Sequence, residues 1–264
     1  MQLSYPADST TTLSNDYPNE IAMTYRKTLV VLHGHGMDDS LWDEVVPLLN
    51  EDYTLIKPNI SLLTACHTVE AYADELHRLL VASQISKCTL VGHSMGGYIS
   101  LAFAEKYPDM LEGFGLFHSS ALADDDAKKQ QRNQLAQLLR THGTEAFIRR
   151  TLPNLFGGRF KETSPEKVQR YIQQYSKLPS EALAVGMEAM RDRPDRTHIL
   201  KKLPFPVLFI IGMEDQAVPF EKAMEQIGYP AKAYPLVLAE AGHLGMVERP
   251  DASARILRWY MERK

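Results

Sequence analysis

Cysteine is scarce in this chain: Cys66 and Cys88 are its only two among 264 residues. Two thiols make no disulfide framework, and Cys88 falls in a run that reads as a buried strand, so a reduced, cytoplasmic protein is expected. Long apolar runs are missing too. No stretch approaches the roughly 18 residues of a membrane span. Met1 to Glu20 is polar and lacks a basic segment followed by an apolar one, so no secretion signal is expected. Neither sign of charge is in large excess: 29 Lys and Arg stand against 33 Asp and Glu, net −4. That leaves no electrostatic reason to expect nucleic acid or an acidic membrane as partner. Repeats and low-complexity segments are absent. What is present is a chain 44% apolar and 23% charged, sized for one large α/β domain, with or without an insertion. Its expected partner is a small molecule.

Residues 1–24 leave room for one edge strand. Thr28 to Leu32 is a continuous apolar, β-branched run, suited to a strand covered on both faces. Asp39-Ser40 can cap a helix from Leu41 to Asn50, and Tyr53 to Ile56 reads as a second strand stopped by Pro58. Thr68 caps a helix with apolar residues at helical spacing up to Ser83. Lys87 to Val91, Phe114 to Phe117, Pro206 to Gly212 and Ala233 to Leu238 read as further strands. The helices interleaved with them run from Tyr98 to Tyr107, Phe220 to Gly228 and Asp251 to Glu262. This alternation predicts a doubly wound, mostly parallel sheet flanked by helices.

Residues 121–200 interrupt the rhythm with four helices and no strand. These are Asp125 to His142 closing at Gly143, Thr144 to Leu152, one opening on Ser164-Pro165, and Ser180 to Arg191. This stretch holds 14 Lys and Arg against 10 Asp and Glu, whereas the rest of the chain holds 15 against 23. It reads as an inserted helical lid on a core made of residues 1–120 and 201–264.

Chemistry concentrates at Gly92-His93-Ser94-Met95-Gly96, between a strand and a helix. Glycines on either side let the backbone bend sharply, and the serine hydroxyl then projects above the sheet. The Met95 amide sits at a helix N-terminus, where positive charge collects and an oxyanion can be held. A serine hydroxyl is a weak nucleophile at neutral pH and needs a base, itself oriented by a carboxylate. His243, in Ala241-Gly242-His243 after the last strand, is the candidate base. Its neighbour in sequence to the serine, His93, points away from it. Asp215, after the strand ending at Gly212, is the candidate acid, with Asp124 to Asp126 as alternatives. In an open parallel sheet, residues following the strands share one edge, so Ser94, Asp215 and His243 can meet. No cofactor is expected. A metal at His33 and His35 lacks a third ligand at suggestive spacing.

These segments resemble the α/β-hydrolase fold superfamily from about Thr28 to Trp259. The resemblance rests on His33-Gly34 with Trp42, Gly92 to Gly97, Gly212-x-x-Asp215 with Pro219, and Gly242-His243 with Glu248-x-Pro250. It implies a Ser94–His243–Asp215 triad, with the backbone N–H groups of His35 and Met95 as the oxyanion hole. The expected activity is cleavage of a small carboxylic ester or thioester through an acyl-enzyme on Ser94. His118, Phe147, Phe156 and Met190 are expected in the substrate pocket. Arg191, Arg193 and Arg196 either meet an acidic substrate or form a solvated face, the latter preferred. The segment Lys57 to Leu63 departs from the glycine-rich loop many relatives carry there, and the usual N-terminal hairpin is not evident. Serine at the nucleophile position argues against epoxide hydrolases and haloalkane dehalogenases, which use aspartate. The other readings are a ligand receptor with vestigial hydrolysis, a cofactor-free haloperoxidase and a C–C bond hydrolase.

Overall fold

The computed structural model describes residues 26–49 and 53–264. The edge strand and hairpin considered for residues 1–24 lie outside them. In chain order the elements are β1 (Thr28–Leu32), β2 (Thr54–Ile56), α1 (Val69–Ala82), β3 (Cys88–His93), α2 (Met95–Lys106) and β4 (Leu111–Phe117). Then come α3 (Asp126–Thr151), α4 (Gly158–Thr163), α5 (Pro165–Tyr175), α6 (Ser180–Asp192) and α7 (Thr197–Leu200). The chain closes with β5 (Val207–Gly212), α8 (Phe220–Glu225), β6 (Ala233–Leu238), α9 (Gly245–Glu248) and α10 (Pro250–Arg263).

The six strands form one parallel sheet in the order β2-β1-β3-β4-β5-β6. Every residue of β1, β3 and β5 is buried, as a sheet covered on both faces requires. The edge strands β2 and β6 are half-exposed, and β6 carries Pro235, whose missing N–H is tolerated at an edge. The chain winds from β1 outward to β2, then returns to place β3 on the other side of β1. Crevices at the carboxyl ends of strands open at such a reversal. Ser94 follows β3 at this point, and the His33 to Gly36 turn follows β1.

Two local expectations change. The helix sought from Leu41 to Asn50 is a pair of 3₁₀ turns, Asp39–Trp42 and Val46–Leu48. Pro47 has no N–H and its ring opposes the carbonyl four residues earlier, so an α-helical ladder cannot pass through it. The cap is Asp38, whose carboxylate accepts from the Ser40 amide at 3.1 Å. Ser164 precedes α5 without a side-chain cap bond, and Pro165 alone supplies the start signal.

Between β4 and β5 every regular element is helical. Gly143, at φ 78° and ψ 176°, breaks α3 into the two helical pieces its sequence predicts. Asp125 caps the first piece by accepting from the Lys128 amide at 2.8 Å. The short helices α4 and α7 were not predicted: four to six residues carry too little periodicity to register. The ends of the segment are tied together, because Arg196 N donates to Ala121 O at 2.8 Å and the Arg193 guanidinium donates to Leu122 O at 2.9 Å.

Candidate active site

Ser94 is held in a conformation that side chains rarely adopt, φ 51° and ψ −117°. Such backbone costs of order 1–3 kcal/mol and persists only where the surroundings enforce it. Here β4 does so: Ser94 N donates to Phe117 O at 3.0 Å, and Ser119 Oγ donates to Ser94 O at 2.7 Å. The glycines on either side are sterically required. A Cβ on Gly92 would lie 2.3 Å from Gly96 O, and one on Gly96 would lie 2.6 Å from Leu32 O. The turn delivers the Met95 amide at the first position of α2. Neither it nor the His35 amide donates to an acceptor among the described residues. Buried amides are nearly always paired; Met95 is buried and directly follows Ser94, and His35 lines the same cavity as Ser94.

His243 and Asp215 meet across the sheet edge. His243 Nδ1–H donates to Asp215 Oδ2 at 2.8 Å, and both side chains are nearly fully buried. Asp215 Oδ1 accepts the Ala217 and Val218 amides at 2.8 and 2.9 Å. Burial pushes this carboxyl up, but the imidazoles of His243 and His118, with their hydrogen bonds, outweigh burial and hold it well below the usual carboxylate range. His243 Nε2 is left for the cavity, which Ser94 also lines. The alternative acids do other work: Asp124 pairs with Arg132 and Arg193, and Asp125 caps α3.

Three further histidines shape the site. His93 donates through Nε2 to His243 O at 2.9 Å, which steadies the backbone of His243. Burial drives its pKa well down, so the ring is neutral. His33 accepts the Ile60 amide at Nε2 (3.0 Å) and donates from Nδ1 to Gly34 O (2.8 Å), pinning the 57–63 loop to the turn after β1. His35 reaches into the helical segment, its Nε2 2.7 Å from Leu183 O on α6 and its ring edge-on to Phe147. Burial lowers its pKa to about 4, so at neutral pH it donates as an uncharged imidazole.

The expected pocket residues divide. Phe147 and Met190 line the cavity of about 570 Å³ that contains Ser94 and His243. Phe156 does not: it stacks on Phe160 and faces a separate cleft beside Glu214 and Gln216. His118 is not a pocket residue either. It sits behind Asp215, with Nδ1 3.5 Å from Asp215 Oδ2. Gly212 N approaches Nδ1 and Gly245 N approaches Nε2, each at 3.1 Å. A neutral imidazole has one acceptor nitrogen, so only one of these amides is satisfied. His118 is buried and its φ of 47° is left-handed, neither of which strand patterning reveals.

Arg193 and Arg196 are neither solvated nor in the cavity. Arg193 lies 3.9 Å over the Tyr98 ring and pairs with Asp124. Arg196 pairs with Glu70 and Glu105. Arg191 pairs with its neighbour Asp192. Acidic residues far away in sequence account for the first two, and single-chain patterning carries no sign of them.

Glu248 fastens the helical segment to the His243 loop. Its carboxylate accepts from the Gly157 amide at 2.8 Å and from the Gly242 and Leu244 amides at 3.1 Å. Burial raises its pKa and the three amides only partly offset this. Next to it, His243 N donates to Leu155 O at 2.7 Å. Exchanging Glu248 for glutamine puts an NH₂ group against a backbone N–H. The expected loss is about 2 kcal/mol, a fall in Tm of roughly 4–8 °C by calorimetry at this chain size.

A model of the alpha/beta hydrolase family matches residues 29–256. Among curated proteins, the karrikin insensitive 2 receptor IA of Petunia hybrida is 26% identical over 250 residues, which cover 88% of this chain and 89% of the receptor. A 2-hydroxy-6-oxo-6-(2'-aminophenyl)hexa-2,4-dienoic acid hydrolase of Metapseudomonas resinovorans is 21% identical over 254 residues, 89% of this chain and 84% of that protein. Among solved structures, a thermophilic esterase from Thermogutta terrifontis superposes with a TM-score of 0.85 at 28% identity, covering 89% of each chain. The family match takes in the sheet from the second residue of β1 onward and the turns that carry His35, Ser94, Asp215 and His243, and on this ground the chain belongs to the alpha/beta hydrolase family.

Proposed function

We propose that the protein is a serine hydrolase of small carboxylic esters or thioesters. The observation that carries this reading is the strained Ser94 in one cavity with His243, whose Nδ1 is 2.8 Å from Asp215. In the proposed reaction Ser94 Oγ attacks the carbonyl carbon while its proton passes to His243 Nε2. The developing oxyanion accepts hydrogen bonds from the Met95 and His35 amides, each worth about 3 kcal/mol in comparable sites. Collapse of the tetrahedral intermediate breaks the C–O or C–S bond, and the leaving group takes the proton from His243. Water then adds to the acyl-enzyme, giving one proton to His243. The acid departs as Ser94 Oγ recovers that proton. Asp215 keeps the imidazole in the tautomer that makes Nε2 the base. Ser94 and His243 make no direct hydrogen bond among the described residues, and such contacts commonly tighten only around substrate.

Labelling with a fluorophosphonate, read by peptide mass spectrometry, tests the assignment: modification is expected on Ser94, and modification on another residue overturns it. A panel of esters and thioesters of graded acyl length then separates the two substrate classes. The Petunia receptor favours a receptor as the second reading. That reading requires ligand binding that survives Ser94→Ala, with negligible turnover by the wild type. No helix of the described residues is long and apolar enough to cross a membrane. Cys66 and Cys88 are buried free thiols, which supports a reducing compartment such as the cytoplasm.

A further inference from the structure

The cavity beside Ser94 has walls of one charge. Lys128, Arg132 and Arg150 line it, and no aspartate or glutamate among the described residues does. Lys128, Arg132 and Leu135 fall at i, i+4 and i+7 of α3, so one helix face brings two cations and an apolar residue to the same space. Of the three cations only Arg132 has an ion pair among the described residues.

Arg132 is also largely buried, its side chain 11% accessible, whereas Arg150 is exposed. Its Nε–H donates to Asp124 Oδ2 at 2.6 Å, which fixes the plane of the guanidinium. The terminal nitrogens find no oxygen acceptor among the described residues. One faces only thioether sulfurs, Met190 Sδ at 3.3 Å and Met187 Sδ at 3.8 Å, and sulfur is a weak acceptor. Asp124 does not fully compensate the charge, because the same carboxylate pairs with Arg193 at 2.8 Å. Two guanidinium groups thus share one negative charge. A charge this deeply placed is ordinarily paired and fully hydrogen-bonded. Arg132 is oriented by a carboxylate on its inner side and open toward the cavity on its outer side. Its charge is also felt by the His35 imidazole, on the turn that carries a proposed oxyanion donor.

We propose that Arg132, assisted by Lys128, forms a carboxylate-binding subsite of the Ser94 cavity, and that the substrate is an ester bearing a second, free carboxylate, such as the half-ester of a dicarboxylic acid. The planar fork of arginine matches a carboxylate in two parallel hydrogen bonds, which a lysine alone does not provide. Met187, Met190 and Leu135 offer apolar surface for the methylene spacer, and methionine adapts readily to spacer length. This inference rests on the hydrolase reading above.

The test compares monomethyl adipate with methyl hexanoate, which differ only in a terminal carboxylate against a methyl group, by proton release at constant pH. The wild type is expected to favour the half-ester in kcat/KM, with a KM for it that rises with added salt. Arg132→Met is expected to lower the ratio of the two kcat/KM values by about 10- to 100-fold, and Arg132→Lys to lower it less. A wild type with no preference, or a ratio unchanged in Arg132→Met, overturns the subsite while leaving ester hydrolysis standing. Absence of Ser94-dependent turnover on either ester instead overturns the hydrolase reading. In that case calorimetric titration of monomethyl adipate and methyl hexanoate into Ser94→Ala, with and without Arg132→Met, still decides the subsite. Selective binding of the half-ester that Arg132→Met abolishes supports it, and equal binding of both esters overturns it. Should Arg132→Met not fold, as judged by its melting curve, the salt dependence and Arg132→Lys carry the same decision.

Discussion

Ser94→Ala is expected to lower kcat on any ester the protein hydrolyses by about four to six orders of magnitude, with little change in Tm. The size follows from the mechanism: once the nucleophile is gone, base and acid have nothing to activate, and removing one member costs nearly as much as removing all. What remains is substrate positioning and the proposed oxyanion donors, the His35 and Met95 amides; such groups alone leave about 10³- to 10⁴-fold acceleration over water in comparable enzymes. The melting point is spared because Ser94 Oγ has no hydrogen bond among the described residues to lose. The backbone contacts to Phe117 and Ser119 stay, and alanine occupies the same strained φ. Steady-state kinetics with a melting curve on the same preparation checks both halves. A variant that folds and retains wild-type kcat removes Ser94 from the reaction.

Asp215→Asn is expected to cost about 10⁴-fold in kcat while leaving the loop in place. The asparagine oxygen can still accept the Ala217 and Val218 amides, as Oδ1 does in the wild type. Its NH₂ then faces His243 Nδ1, which must become an acceptor. The ring proton moves to Nε2, and the imidazole can no longer take a proton from Ser94. Nitrogen-15 spectra of His243 would report the tautomer directly, and a variant with the wild-type tautomer and undiminished kcat would sink this account. Stability should respond to pH as well. The Asp215 carboxyl sits well below its ordinary value of 3.8 when folded. The stability its charge contributes is therefore fully present above that value and is lost as pH falls toward the folded one. The stability gap between wild type and Asp215→Asn should accordingly narrow in acid, measured by denaturant unfolding at neutral pH and near pH 3.

The parts legible without coordinates were those with a local physical signature. All six strands announced themselves as apolar runs, and the bounds of Thr28–Leu32 and Ala233–Leu238 agree residue for residue. Gly143 marked the break in α3 because only glycine takes that φ without strain. Thr68 marked the start of α1 because its side chain accepts the Ala71 amide. The segment from Leu41 to Asn50 misled because its apolar spacing is helical while Pro47 forbids the ladder. Phe147 and Phe156 both belong to the helical segment between β4 and β5, yet Phe147 lines the Ser94 cavity and Phe156 stacks on Phe160. Nothing in a periodicity separates them.

Sequence by itself determined the succession of the strands and the sharp turn at Gly92 to Gly97, since strand periods and glycine sterics act over a few residues. It also determined that Ser94, Asp215 and His243 sit on one edge, because parallel strands all end there. Tertiary structure alone decided what surrounds them. His118 behind Asp215, Glu248 joining Gly157 to the His243 loop, and Arg132 facing the cavity between Asp124 and two methionines are products of packing between segments up to 127 residues apart. Charge and hydrogen-bond partners at that distance depend on how helices settle on the sheet, and no local rule of the chain encodes it.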